Sequence, residues 1–171
     1  MRTRNIRARP QATGPHPEQQ QPLLTWPLRR AILAPNHLSI LDGWVVTVAW
    51  QKFNAGRTRQ PLLFGVDPDY SRHPAWERVL RGACRIWQAD FVPIGRGASF
   101  GLRRMLRHLD QGGVVCLFPS GAIGAHDRFP GIEFLSQRSG APIHDVHLEY
   151  RIGRGRHALT RVERVERAKA R

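Results

Sequence analysis

Five short apolar runs, at residues 31–34, 61–66, 91–94, 114–118 and 142–150, alternate with segments of helical period. Runs of that length, bounded by Pro, Gly or polar turns, suit strands buried on both faces. The intervening segments differ in character. Residues 41–53 are apolar almost all round through Trp44, Val45, Val46, Val48 and Trp50, as expected of a helix that is deeply buried or touches lipid. Residues 76–87 place Trp76, Val79, Leu80, Ala83 and Trp87 on one stripe, with Glu77, Arg78, Arg81 and Arg85 opposite. A third stripe, Leu102, Met105, Leu106 and Leu109, follows a capping Ser99 and stops at Gly112-Gly113. A short helix over residues 132–139 closes at Gly140. Strand and helix in alternation predict one α/β domain, with a mostly parallel or mixed central sheet flanked by helices, over residues 23–150. Residues 1–22, rich in Arg, Gln and Pro, read as a disordered basic arm, and residues 151–171 as a basic C-terminal extension.

Charge narrows the partners. The net charge is +14, and nearly all the positive charge is arginine, because Lys52 and Lys169 are the only lysines. Arg2, Arg4, Arg7 and Arg9 crowd the start, and eight of the last twenty-one residues are Arg or Lys. Such ends suit an anionic lipid surface or another polyanion. The two cysteines, Cys84 and Cys116, make neither a disulfide framework nor a metal spacing, which fits a reducing cytoplasm. His144 and His147, three apart on a strand, point to opposite faces and make a poor metal pair. No run approaches the roughly 20 apolar residues of a membrane span, and the arginine-rich start lacks the apolar core of a signal peptide. Any contact with a membrane is therefore expected to be peripheral, at its inner face.

The chemistry concentrates in Asn36-His37-Leu38-Ser39-Ile40-Leu41-Asp42, at a strand-to-helix junction. Histidine is the side chain whose ordinary pKa lies nearest neutrality, and an aspartate beside it can hold its tautomer and stabilise the imidazolium. Such a pair can deprotonate an alcohol. Two further loops after strands carry Gly95-Arg96-Gly97 and Pro119-Ser120-Gly121. In α/β sheets, ligands collect beyond the carboxyl ends of strands. His37, an arginine suited to phosphate and a glycine-bearing turn with free N–H groups would share that crevice.

The first run resembles the N-H-x-S-x-x-D motif of the glycerolipid (lysophosphatidate-type) acyltransferases. Val92-Pro93-Ile94-Gly95-Arg96-Gly97 is similar to that family's second block, usually I-P-V-D-R-G. Phe118-Pro119-Ser120-Gly121-Ala122-Ile123 resembles the third, usually F-P-E-G-T-R, and Gly140-Ala141-Pro142-Ile143 the fourth. The four blocks run in the family's order over about residues 30–150. The resemblance implies transfer of a fatty acyl group from acyl-CoA or acyl-carrier protein to a lipid hydroxyl. It makes His37 the general base and Asp42 its orienting partner. Asn36, Ser39, Arg96, Pro119, Ser120 and Gly121 become candidate substrate contacts, with no metal or cofactor besides the co-substrate. Where the family's blocks carry Glu, Thr, Arg and Asp, this chain has Ser120, Ala122, Ile123 and Gly95. Those changes loosen the link to a lysophosphatidate acceptor and leave an impaired homologue as an alternative. Charge alone also allows a nucleic-acid binder, although no motif of that class is present. A Ser120 nucleophile is disfavoured, because Phe-Pro-Ser-Gly-Ala is not G-x-S-x-G.

Overall fold

Parallel strands need long crossovers, and the helical segments supply them. The computed structural model describes residues 29–39, 41–54, 60–68, 88–95, 99–119, 130–152 and 158–168, with residues 74, 77, 78, 81, 82 and 86 between. The 1–22 arm, Cys84 and the Trp76–Trp87 stripe lie outside the described residues. In chain order come β1 (Ala31–Pro35), α1 (Asp42–Asn54), β2 (Leu62–Val66) and β3 (Ala89–Pro93). They are followed by α2 (Ser99–Asp110), β4 (Val114–Cys116), α3 (Pro130–Ser139), β5 (Ile143–Ile152) and β6 (Ala158–Arg167). The sheet order is β3-β2-β4-β1-β5-β6, with β1 to β5 parallel and β6 antiparallel to β5. This is a single α/β domain whose five-stranded parallel sheet is flanked by helices.

Two cores follow from the pleat, since alternate residues of each buried strand face opposite ways. On one side Ala31, Leu33, Leu62, Phe64, Cys116, Val146 and Leu148 meet Val46 and Trp50 of α1. On the other, Ile32, Leu63, Val92, Val115 and Leu117 meet Met105 and Leu109 of α2 and Ile132 and Leu135 of α3. Gly101 lets α2 lie close on β3: a Cβ there would sit 2.4 Å from the Pro93 carbonyl oxygen. Cys116 is fully buried, and burial pushes its thiol well above its ordinary pKa. That environment suits an inert core thiol.

Residues 158–167 lie beyond the expected end of the folded domain yet form the sixth strand. Five charged residues among those ten hide the strand pattern. Charge of that kind is usual on a sheet edge, and a register shift at His147/Leu148 breaks the alternation.

His108, on α2, hydrogen-bonds the Pro61 carbonyl oxygen at 3.0 Å. Burial holds its imidazole below the ordinary value of 6.5, against the raising influence of the Pro61 and Val114 backbone and of Asp90. The folded state therefore binds fewer protons than the unfolded chain as pH falls through 6.5. Stability from this group is present above pH 6.5 and drains away below it. Urea midpoints measured from pH 7.5 to 5 should fall more steeply for the wild type than for His108→Gln, which keeps a donor toward Pro61.

Candidate active site

In a parallel sheet the carboxyl ends of β1 and β4 leave at the same edge, because these strands are neighbours. The segment after β1 turns at once into α1 and brings its own polar groups together. Asp42, the first residue of α1, is 0% exposed. Its Oδ2 accepts hydrogen bonds from Leu38 N at 2.6 Å, Ser39 N at 2.7 Å and His37 Nδ1 at 2.9 Å. A buried carboxylate is costly unless hydrogen-bonded, and here three donors and the positive end of a helix compensate it. Its other oxygen, Oδ1, is buried without a partner among the described residues. Ser39 finishes the turn: its carbonyl accepts Asp42 N at 3.1 Å and its Oγ accepts Leu41 N at 3.2 Å. The five-residue spacing from His37 to Asp42 is thus the length needed for the loop to fold back on the helix start.

This arrangement decides which nitrogen of His37 is free. A carboxylate oxygen only accepts, so Nδ1 carries the proton and Nε2 keeps its lone pair. The His37 side chain is 20% exposed. The Phe118 ring, just past β4, lies 4.5 Å from the imidazole centroid at an angle of 33°. One wall of the imidazole is thereby fixed from the neighbouring strand. Chemically, this is a base with an oriented tautomer, a buried counter-charge and access to solvent.

Asn36 takes a place that its sequence context did not suggest. Its Nδ2 donates to the Leu148 carbonyl at 3.1 Å, and its Oδ1 accepts the Leu148 N–H at 2.6 Å. The side-chain amide thus imitates a peptide group and prolongs the β1–β5 ladder by one rung. Ser39 and Asn36, expected as substrate contacts, are both engaged in shaping the loop. Asn36→Ala should lower unfolding free energy by about 1 kcal/mol in a urea titration, because Asn36 is exposed and water can replace the lost bonds.

Pro119 follows Phe118 and stands at the same edge. Arg96, Ser120 and Gly121 lie outside the described residues. Gly95, beside Arg96, ends up against Pro68 at the β2–β3 edge, since a Cβ on Gly95 would meet Pro68 Cγ at 3.0 Å. By the strand order, β3 is three strands from β1, or about 14 Å at ~4.8 Å per step. The described part of the second block, residues 92–95, therefore stands at the far end of the sheet from β5 and β6.

The described residues thus set a histidine–carboxylate pair at the strand ends of a parallel α/β sheet. The Acyltransferase family model matches residues 11–143, and the chain belongs to that family, the PlsC-like glycerolipid acyltransferases. Acyl transfer is accordingly its class of activity. No helix among the described residues is long and apolar enough to cross a membrane.

Proposed function

We propose that this protein moves a fatty acyl group from an acyl-CoA or acyl-carrier-protein thioester to a hydroxyl of a lysophospholipid or related lipid, from the membrane surface. His37 Nε2 takes the proton of the acceptor hydroxyl as its oxygen attacks the thioester carbonyl. Asp42 holds the ring and balances the charge that develops on it. Collapse of the tetrahedral intermediate breaks the C–S bond. The proton on His37 then passes to the leaving thiolate, giving an ester and a free thiol. No covalent acyl-enzyme is needed, and rate comes from holding two substrates together beside one base. On this reading Arg96 and the Pro119-Ser120-Gly121 turn take the anionic part of a substrate. The single observation carrying the mechanism is the 2.9 Å Nδ1–Oδ2 bond that leaves Nε2 as the free base.

The test is incubation with acyl-CoA, or with acyl-carrier protein, and a panel of lysolipids, read by lipid mass spectrometry. A new diacyl product from at least one acceptor is expected, together with stoichiometric release of free thiol. A thiol released with free fatty acid and no ester on any acceptor would show hydrolysis and overturn this function.

A further inference from the structure

One hydrogen bond places a ring nitrogen and leaves the plane of the ring loosely set. Asp42 fixes His37 at Nδ1, so the direction of Nε2 depends on what else holds the imidazole. β1 lies between β4 and β5, and both neighbours reach the segment that carries His37. On the β5 side Asn36 N donates to the Val146 carbonyl at 3.2 Å, and the Asn36 side chain holds Leu148. On the β4 side Leu117 N donates to the Leu33 carbonyl at 2.9 Å, which carries that ladder to the residue before Phe118. The backbone leading to His37 is thus pinned from both flanks.

Phe118 is the side chain that meets the ring itself. Leu33 pairs with Cys116, and both lie in the core cluster that includes Val46 and Trp50. Counted from that pair, Phe118 and His37 stand an even number of residues along their strands, which puts them on the same face of the sheet. Their ring centroids are 4.5 Å apart, with the planes tilted by 33°. Phe118 is half-buried against the same core cluster. Pro119 follows it and disfavours helical backbone at residue 118, which keeps Phe118 on the line of β4. An aliphatic side chain seated there would also fix the ring plane. An aromatic face does more, because its π cloud attracts a cation within about 6 Å. His37 becomes a cation only as it takes the proton of the acceptor.

We propose that Phe118 is a positioning residue for the base: it sets the plane of the His37 ring and stabilises the imidazolium formed in the transition state. The proposal deepens the acyl-transfer reading and rests on it for the proton that charges the ring. The neutral ring of the resting enzyme gains little from the aromatic face, and the charged ring gains more. An interaction that strengthens on the way to the transition state speeds the chemical step and leaves substrate affinity alone. Phe118 belongs to the third block by sequence, yet it acts on the histidine of the first. Its effect reaches the substrates through His37 alone.

Turnover of the full chain as Phe118→Leu, Phe118→Tyr and Phe91→Leu tests this. Phe91 packs against the same core cluster from β3, three strands from β1, so its loss reports packing alone. Phe118→Leu should lower kcat by about tenfold, with KM for both substrates moved by less than about twofold. Phe118→Tyr keeps the aromatic face and should recover most of that loss, whereas Phe91→Leu should show none of it. Urea midpoints show which variants are folded. Phe118→Met, of similar volume and without a π face, stands in should Phe118→Leu not fold. Proton NMR supplies a readout that needs no turnover. The His37 ring protons, assigned by their absence in His37→Ala, should carry a ring-current displacement that Phe118→Tyr keeps and Phe118→Leu removes. A KM that rises at constant kcat would make Phe118 a substrate contact and overturn the proposal. A loss that Phe118→Tyr does not restore, or that Phe91→Leu matches, would overturn it too, as would a displacement that survives in Phe118→Leu. Should the wild type make no ester on any acceptor, the acyl-transfer reading falls and takes the charge-stabilising role with it. The NMR displacement then decides by itself whether Phe118 holds the ring.

Discussion

His37→Ala should reduce acyl transfer by about 10²–10⁴-fold, the usual contribution of a positioned general base, while the protein stays folded. The structure separates the two effects. The His37 ring is partly exposed, touches Phe118 on one side and makes one hydrogen bond, to Asp42. Its removal leaves Asp42 Oδ2 with the Leu38 and Ser39 N–H groups, so the loop keeps its turn. Turnover and a urea midpoint, measured on the same preparation, check the claim. Wild-type turnover in the variant would remove His37 from the mechanism, whatever the stability showed.

Asp42→Ala is expected to cost both stability and activity. Three donors lose their acceptor, and the carboxylate they meet is itself fully buried. At about 1 kcal/mol per unmade bond, the loss is about 3 kcal/mol, a large part of a small domain's stability. Asp42→Asn is the sharper experiment. Its amide oxygen can still accept from the loop backbone, so the urea midpoint should move much less. The negative charge opposite the imidazole is gone, however, and transfer should still fall by about 10³–10⁴-fold. If Asp42→Asn is as unstable as Asp42→Ala, charge at the helix start outweighs hydrogen-bond geometry in holding the loop. If it turns over at the wild-type rate, Asp42 is a structural residue alone.

The two variants also indicate where sequence was a sufficient guide. β1, α1, α2 and β4 were legible because apolar period and stop signals agreed, as with Gly112 and Gly140, which take positive φ where helices end. The His37–Asp42 spacing was legible because both residues belong to one short loop. Asn36 was not, since its partner Leu148 lies 112 residues away and no local pattern announces a side chain that completes a strand ladder. β6 was hidden for a related reason: an edge strand needs few apolar residues, and its charges resemble those of a tail. For α1, an all-round apolar helix left burial and lipid contact undivided. The structure buries Val46 and Trp50 and leaves Leu41, Trp44 and Val48 exposed.

The bonds between Asn36 and Leu148 tie the loop after β1 to a strand made much later in the chain. The motif that bears His37 lies near the start of the described chain, and Leu148 comes 112 residues after Asn36. Until residue 148 is synthesised and slots in beside β1, the His37 loop has one shoulder without support. A chain stopped after α3 would carry every residue of the dyad and lack the strand that aims it. The 36–42 loop is therefore complete only with β5 beside β1, so the last parallel strand belongs to the site as much as the motif does.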